Sequence, residues 1–264
     1  MKRDSYKQQE LIAKIKEFRL LDDDFMTKVF ENDYECTELI LHIIMQNKDL
    51  QVKETHTQYN IKSLTGRSSR LDIYAEDSAG KKYNIEVQRS DRGAAAQRAR
   101  YNSSVLDTNS LSPGMDFNNL PETYVIFITE RDIIGQGEPI YHIDRVIRET
   151  GKSFDDGSHI IYVNGTYRDE TPIGRLMHDF ACKNPDEMYF KVLADKTRYF
   201  KEDEKGVADM SKIMDDLIED LIEDEKKEIA LKMLQDRKLE NGEIARYCSL
   251  TLEQVEQLAK MQTA

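Results

Sequence analysis

Two segments of this chain alternate apolar and polar side chains with period two on either side of a tight turn. Arg70-Leu71-Asp72-Ile73-Tyr74-Ala75-Glu76 precedes Asp77-Ser78-Ala79-Gly80, and Lys82-Tyr83-Asn84-Ile85-Glu86-Val87-Gln88 follows it. Strand side chains point to opposite faces in turn, so the pattern predicts an antiparallel hairpin. Leu71, Ile73 and Ala75 share an apolar face with Tyr83, Ile85 and Val87. Arg70, Asp72, Tyr74 and Glu76 then share the other face with Lys82, Asn84, Glu86 and Gln88. A register whose paired residue numbers add to an even value keeps Asp72 and Glu86 together. An odd sum without a bulge separates them.

Opposed side chains on such a face lie about 5 Å apart at Cβ. Two carboxylates at that distance repel unless positive charge lies between them. A hard divalent ion such as Mg²⁺ suits the pair, because it takes oxygen ligands and commonly one or two carboxylates. The competing reading is a solvent-facing hairpin whose acids pair with Arg70, Lys82 or Arg89. The surroundings favour the first. The whole chain carries 38 Lys+Arg against 50 Asp+Glu and a formal net charge of −12, whereas residues 50–105 carry 10 basic and 6 acidic side chains. Arg67, Arg70, Arg89, Arg92, Arg98 and Arg100 dominate that local excess, and guanidinium groups suit bidentate contacts to phosphate. Gln97 and Tyr101, at i and i+4 on a helix predicted over 93–108, face the same way.

Around the hairpin the apolar period is helical over residues 7–46, with an N-cap expected at Asp33 and His42 beside the third apolar face. A strand is expected between Leu50 and Ile61, completing a meander. Tyr124 to Ile128 reads as a strand buried on both faces, and His142 to Ile147 and His159 to Val163 as two more. Residues 172–200 read as helical, and residues 203–238 as a long acidic helix with a seam of Met210, Ile213, Met214, Leu217, Ile218 and Leu221. Residues 242–260 have a helix-turn-helix outline around Ser249-Leu250-Thr251, in which Glu253 and Glu256 argue for packing or oligomerisation ahead of base reading. The expected organisation is one domain over 1–200 and a helical tail over 201–264. No secretory signal or membrane span is visible, and three scattered cysteines, Cys36, Cys182 and Cys248, fit a reducing cytoplasm.

Arg70-Leu71-Asp72-Ile73, a turn, Asn84-Ile85-Glu86-Val87-Gln88 and then a basic helix with Arg100-Tyr101 together resemble the PD-(D/E)XK nuclease superfamily. More narrowly they resemble its family of transposases, the recombination-promoting nucleases. Gln97-x3-Tyr101 is also similar to the Gln/Tyr helix motif of the RecB-like branch. The resemblance implies an α/β fold, a restriction-endonuclease-like mixed sheet flanked by helices with a helical C-terminal extension. It also implies Mg²⁺-dependent cleavage of DNA. Asp72 and Glu86 would be metal ligands and, with Gln88, the catalytic residues. Arg70, Arg89, Gln97, Arg98, Arg100 and Tyr101 would hold DNA. Gln88 stands where the superfamily usually carries Lys. It can orient a water but brings no positive charge, which leaves Arg89, Arg98 or Lys82 as the candidates to supply it. A third acid from the N-terminal helices sometimes completes such sites, with Glu38 the nearest candidate and Glu35 behind it. Two other readings stay open: a nuclease-like fold that binds DNA without cutting it, and an interaction module whose C-terminal helices dock a partner or a second copy.

Overall fold

The computed structural model describes residues 11–61, 69–89, 91–236 and 238–262. The chain forms two compact units, Met1–Val207 and Ala208–Ala264.

The first unit is built on a six-stranded mixed sheet. Its strands are β1 (Val52–Ile61), β2 (Ser69–Asp77), β3 (Lys82–Gln88), β4 (Thr123–Thr129), β5 (Ile140–Ile143) and β8 (Ser158–Asn164), in the order β1-β2-β3-β4-β8-β5. The expected meander is present: β1, β2 and β3 pair antiparallel. β3, β4 and β8 run parallel, and β5 returns antiparallel along β8. β4 is buried along its whole length, as a strand covered on both faces must be. The span His142 to Ile147 is not one strand: β5 ends at Ile143, and β6 (Val146–Ile147) pairs with β7 (Lys152–Ser153) in a separate exposed ribbon.

Helices cover the two faces differently. The described part of α1 is residues 11–17. It is followed by α2 (Asp23–Phe30) and α3 (Tyr34–Ile44). Asp33 caps α3, its Oδ1 accepting from the Cys36 amide at 2.8 Å. α3 meets the sheet where Thr37 Oγ1 lies 3.2 Å from Thr55 Oγ1 of β1. Thr55 is opposite Ala75 on β2. Leu71, expected to share a face with Ile73 and Ala75, packs instead with Tyr74, Ala94 and Ala99 on the side of α4, because the regular pairing of β2 with both neighbours is interrupted at Asp72. The other face carries α4 (Ala96–Ser110), entered through a 3₁₀ turn at Asp91–Ala94. α4 buries Ala99, Asn102, Ser103 and Leu106, small or slender side chains that let it approach closely. Ala99 and Leu106 pack with Val125, Phe127 and Tyr162.

The predicted helix over 172–200 breaks at Pro185 into α5 (Pro172–Ala181), a 3₁₀ turn and α6 (Lys191–Glu202). Lys201 of α6 is buried, and its ammonium donates to the carbonyls of Lys16, Phe18 and Lys183, tying α6 to the chain after α1 and to the end of α5. The boundary between units falls inside α7 (Glu204–Asp236). In the second unit α8 (Asn241–Cys248) and α9 (Leu252–Gln262) flank a turn at which Ser249 takes a left-handed conformation. Ala230, Ile244, Ala245, Cys248 and Val255 form its small core. Met210 and Met214 of the expected seam are buried, while the side chains of Leu217, Ile218 and Leu221 lie outside the described residues. No described helix is long and apolar enough to cross a membrane.

Candidate active site

The β2–β3 ladder pairs Ile73 with Ile85, Tyr74 with Asn84, Ala75 with Tyr83 and Glu76 with Lys82. Every pair has the same even sum, the one expected for Asp72 with Glu86, but the regular ladder ends at Ile73 and Ile85, one position short of the two acids. Beyond Ile73 the Val87 amide turns to the Asp72 side chain, donating to Oδ2 at 3.0 Å. Asn84, Glu86 and Gln88 follow one another on one face of β3. Asn84 Nδ2 donates to Glu86 Oε1 at 3.0 Å, and Gln88 Nε2 reaches Asp72 Oδ2 at 3.4 Å. Gly93 leaves room for that glutamine, since a Cβ there would lie 1.9 Å from Gln88 Oε1.

This polar face is not the solvated surface that the competing reading requires. Glu86 and Asn84 are 0% exposed and Asp72 is 8% exposed. Arg98, two residues into α4, donates from Nη2 to Glu86 Oε2 at 2.7 Å. Burial raises the pKa of Asp72 well above the usual carboxylate range, and the charge of Glu86 raises it further against the Val87 amide. Burial also raises the pKa of Glu86, against Arg98 and Asn84. Two buried acids that each resist ionisation form a site short of positive charge. Arg98 supplies one such charge, on one oxygen of one acid.

Asp23, which the sequence reading passed over, adds to this negative cluster. Its charge also raises the pKa of Asp72. Gln58 of β1, in a left-handed conformation with φ of 50°, donates to Asp23 Oδ1 at 3.1 Å and to Thr27 Oγ1 at 2.8 Å. The acidic start of α2 is thereby held beside the hairpin. The signal was the Asp22-Asp23-Asp24 run itself, which reads only as a helix start without the tertiary structure. Glu38 is elsewhere. Its Oε1 accepts from the Val52 amide at 2.7 Å, and Val52 pairs with Asp77, five residues and about 17 Å along β2 from Asp72. It caps the start of β1, and Glu35 is exposed on α3.

The basic residues divide. Arg70, Gln97 and Arg100 are exposed and Tyr101 is 40% exposed, all flanking the hairpin or on the first turns of α4. Arg89 instead donates to Asp22 Oδ1 at 2.8 Å and lies 3.5 Å from Glu130, which also pairs with Arg19 at 2.7 Å. That alternating network ties the ends of β3 and β4 to the start of α2. Arg67 and the side chain of Arg92 lie outside the described residues.

Among the described residues no group of three or more His, Cys, Asp or Glu side chains is disposed to hold a metal ion. The donor chemistry of the hairpin nevertheless fits a hard divalent cation: two carboxylate groups, both short of positive charge. Asn84 adds a buried Oδ1 with no hydrogen-bond partner among the described residues.

A family model described as PD-(D/E)XK nuclease family transposase matches residues 28–169, more than half of the chain. The match contains the whole β1–β2–β3 meander and α4 and leaves out the acidic start of α2. No curated protein and no solved structure matches the chain. With its mixed sheet flanked by helices, the chain belongs to the PD-(D/E)XK nuclease family transposases.

Proposed function

We propose that the protein is a Mg²⁺-dependent DNA endonuclease that hydrolyses phosphodiester bonds at the Asp72–Glu86 face. The observation that carries this reading is the burial of two mutually repelling carboxylates beside Arg98. Asp72 and Glu86 would hold the ion, which when bound polarises a phosphoryl oxygen and lowers the pKa of a water. Arg98 pairs with Glu86 through Oε2, and its guanidinium, partly exposed, would suit a contact to the phosphate presented there. Gln88 orients a water through its amide, held by Asp72 and by the close approach of Gly93. Arg70, Gln97, Arg100 and Tyr101 form the contact surface for the DNA backbone, and Arg89 acts by positioning α2. The three free cysteines accord with a cytoplasmic setting.

The test is nicking of supercoiled plasmid with Mg²⁺ and with EDTA. Cleavage that needs the metal and is lost in Asp72→Asn supports the reading; cleavage in EDTA, or a fully active variant, defeats it. A second reading, DNA binding without cleavage, draws on Gln88 in place of a lysine. Salt-dependent binding with no nicking under any divalent metal would establish it instead.

A further inference from the structure

The sheet face that carries Glu86 continues past α4 onto an aromatic floor. His56 of β1 pairs with Tyr74 of β2, which pairs with Asn84 of β3, so one row across the sheet leads to the residue that hydrogen-bonds Glu86. Gln58, in its left-handed conformation, interrupts the alternation of β1 and lets Tyr59 join that row. The three rings lie nearly parallel. Tyr59 and Tyr74 are 4.8 Å apart at 21°, His56 and Tyr59 5.6 Å at 15°, and His56 and Tyr74 6.5 Å at 10°. Tyr74 is buried beneath, while Tyr59 is 37% exposed and the His56 side chain 42%.

A second stack in the same sheet shows what mere packing looks like. Tyr83, Tyr124 and His159 stack at 5.2 and 4.7 Å on the opposite face, and Tyr83 and Tyr124 are buried there. The His56–Tyr59–Tyr74 floor instead leaves two rings open. Glu54, bonded to His56, and Glu76, opposite Lys82, close its end remote from Asp72. Phosphates are therefore directed toward the other end, where Arg70 is exposed and Arg98 meets Glu86.

We propose that this floor stacks an unpaired base of the DNA strand next to the phosphate presented to Asp72 and Glu86, making single-stranded or unpaired DNA the preferred substrate. The inference rests on the nuclease reading for the identity of the strand. Bases in an intact duplex already stack on one another and show the protein only their edges, whereas a free base offers its π-face to a ring.

The experiment uses a single-stranded 12-mer with 2-aminopurine in its centre, and the same strand in a duplex, titrated in EDTA so that no cleavage occurs. The chain has no Trp to interfere. Wild type is expected to bind the single strand more tightly and to quench the 2-aminopurine. Tyr59→Leu, which keeps an apolar side chain but no ring, should weaken single-strand binding about five- to hundredfold and abolish quenching. Tyr59→Phe should retain both, and duplex binding should change less than about twofold. His56→Leu provides a second variant of the floor should Tyr59→Leu fold poorly. Unchanged single-strand binding in both leucine variants, equal losses for single strand and duplex, or no single-strand binding by wild type would overturn the proposal. Plasmid nicking by Asp72→Asn is a separate readout, so failure of the nuclease reading leaves the quenching result intact, and the reverse.

Discussion

Two regions of the first unit bury carboxylates, and they do so in opposite ways. At the junction of α5 and α6, Asp179 is fully buried, and its oxygens accept from the amides of Tyr189 at 2.9 Å and Phe190 at 2.8 Å, with His178 Nδ1 at 3.1 Å. The turn Asp77–Gly80 repeats the device. Asp77 accepts from the Ala79 and Lys81 amides and from the Tyr83 hydroxyl. These acids face donors, and their work is structural. Asp72 and Glu86 accept hydrogen bonds too, but burial disfavours the charge on each, Asp72 feels the charge of Glu86, and among the described residues Arg98 is the cation paired with Glu86. Burial alone does not single out a candidate functional acid; burial beside a second acid does.

Substitution of one acid in each region gives the sharpest contrast. Asp72→Asn should lower nicking by roughly 10³-fold, a loss of several kcal/mol of transition-state stabilisation, while leaving the melting temperature unchanged or raised, because repulsion with Glu86 is relieved. Asp179→Asn should do the opposite, turning an amide NH₂ toward backbone donors and costing about 2–4 kcal/mol of stability. Chemical denaturation and plasmid nicking on both variants check this. Equal destabilisation by the two would erase the distinction.

Arg98→Ala comes next. Removing the partner of a buried carboxylate should cost about 2–3 kcal/mol, less than for a fully enclosed pair because the guanidinium is partly solvated. Mg²⁺ should then raise the melting temperature more in the variant than in wild type, since the ion no longer competes with Arg98 for Glu86. A smaller Mg²⁺ shift in the variant would make Arg98 a ligand-positioning residue instead.

A smaller effect is expected from pH. An acid whose pKa is higher folded than unfolded binds more protons in the native state, so its contribution to stability falls as pH rises. For Asp72 and Glu86, both raised, the penalty is absent below about pH 4, grows through the raised native values and is complete above them. Without divalent metal, the gap in melting temperature between Asp72→Asn and wild type should widen with pH across that interval. Smallest of all is Glu38→Gln, which keeps an acceptor for the Val52 amide and should change stability by less than about 1 kcal/mol with nicking unaltered.

The hairpin and its even register from Ile73 to Glu76 were legible in the sequence because a period-two pattern leaves only two registers and the apolar residues choose between them; the break at Asp72, which moves Leu71 to the face of Tyr74, was not. The packing around the hairpin was not. α4 has little apolar character, and nothing in Ala99, Asn102 and Ser103 announces that they will cover the acidic face. Arg98 meets Glu86 between a helix and a strand, a contact that periodicity does not encode. The breaks at Pro185 and after Ile143 lie where local patterns run on although the chain turns. Tyr59 joins His56 and Tyr74 only because Gln58 leaves the regular strand conformation, and a glutamine carries no signal for that. Asp23 reaches Asp72 through the docking of α2, whereas Glu38, chosen for its place on a helix, serves the start of β1.

Calorimetric titration of Mg²⁺ into the metal-free protein tests the central claim most directly. Binding of one or two ions per chain that disappears in Asp72→Asn, with the variant still folded, is the predicted result. No binding to wild type, or the same binding in the variant, would contradict a divalent cation held by the Asp72–Glu86 pair.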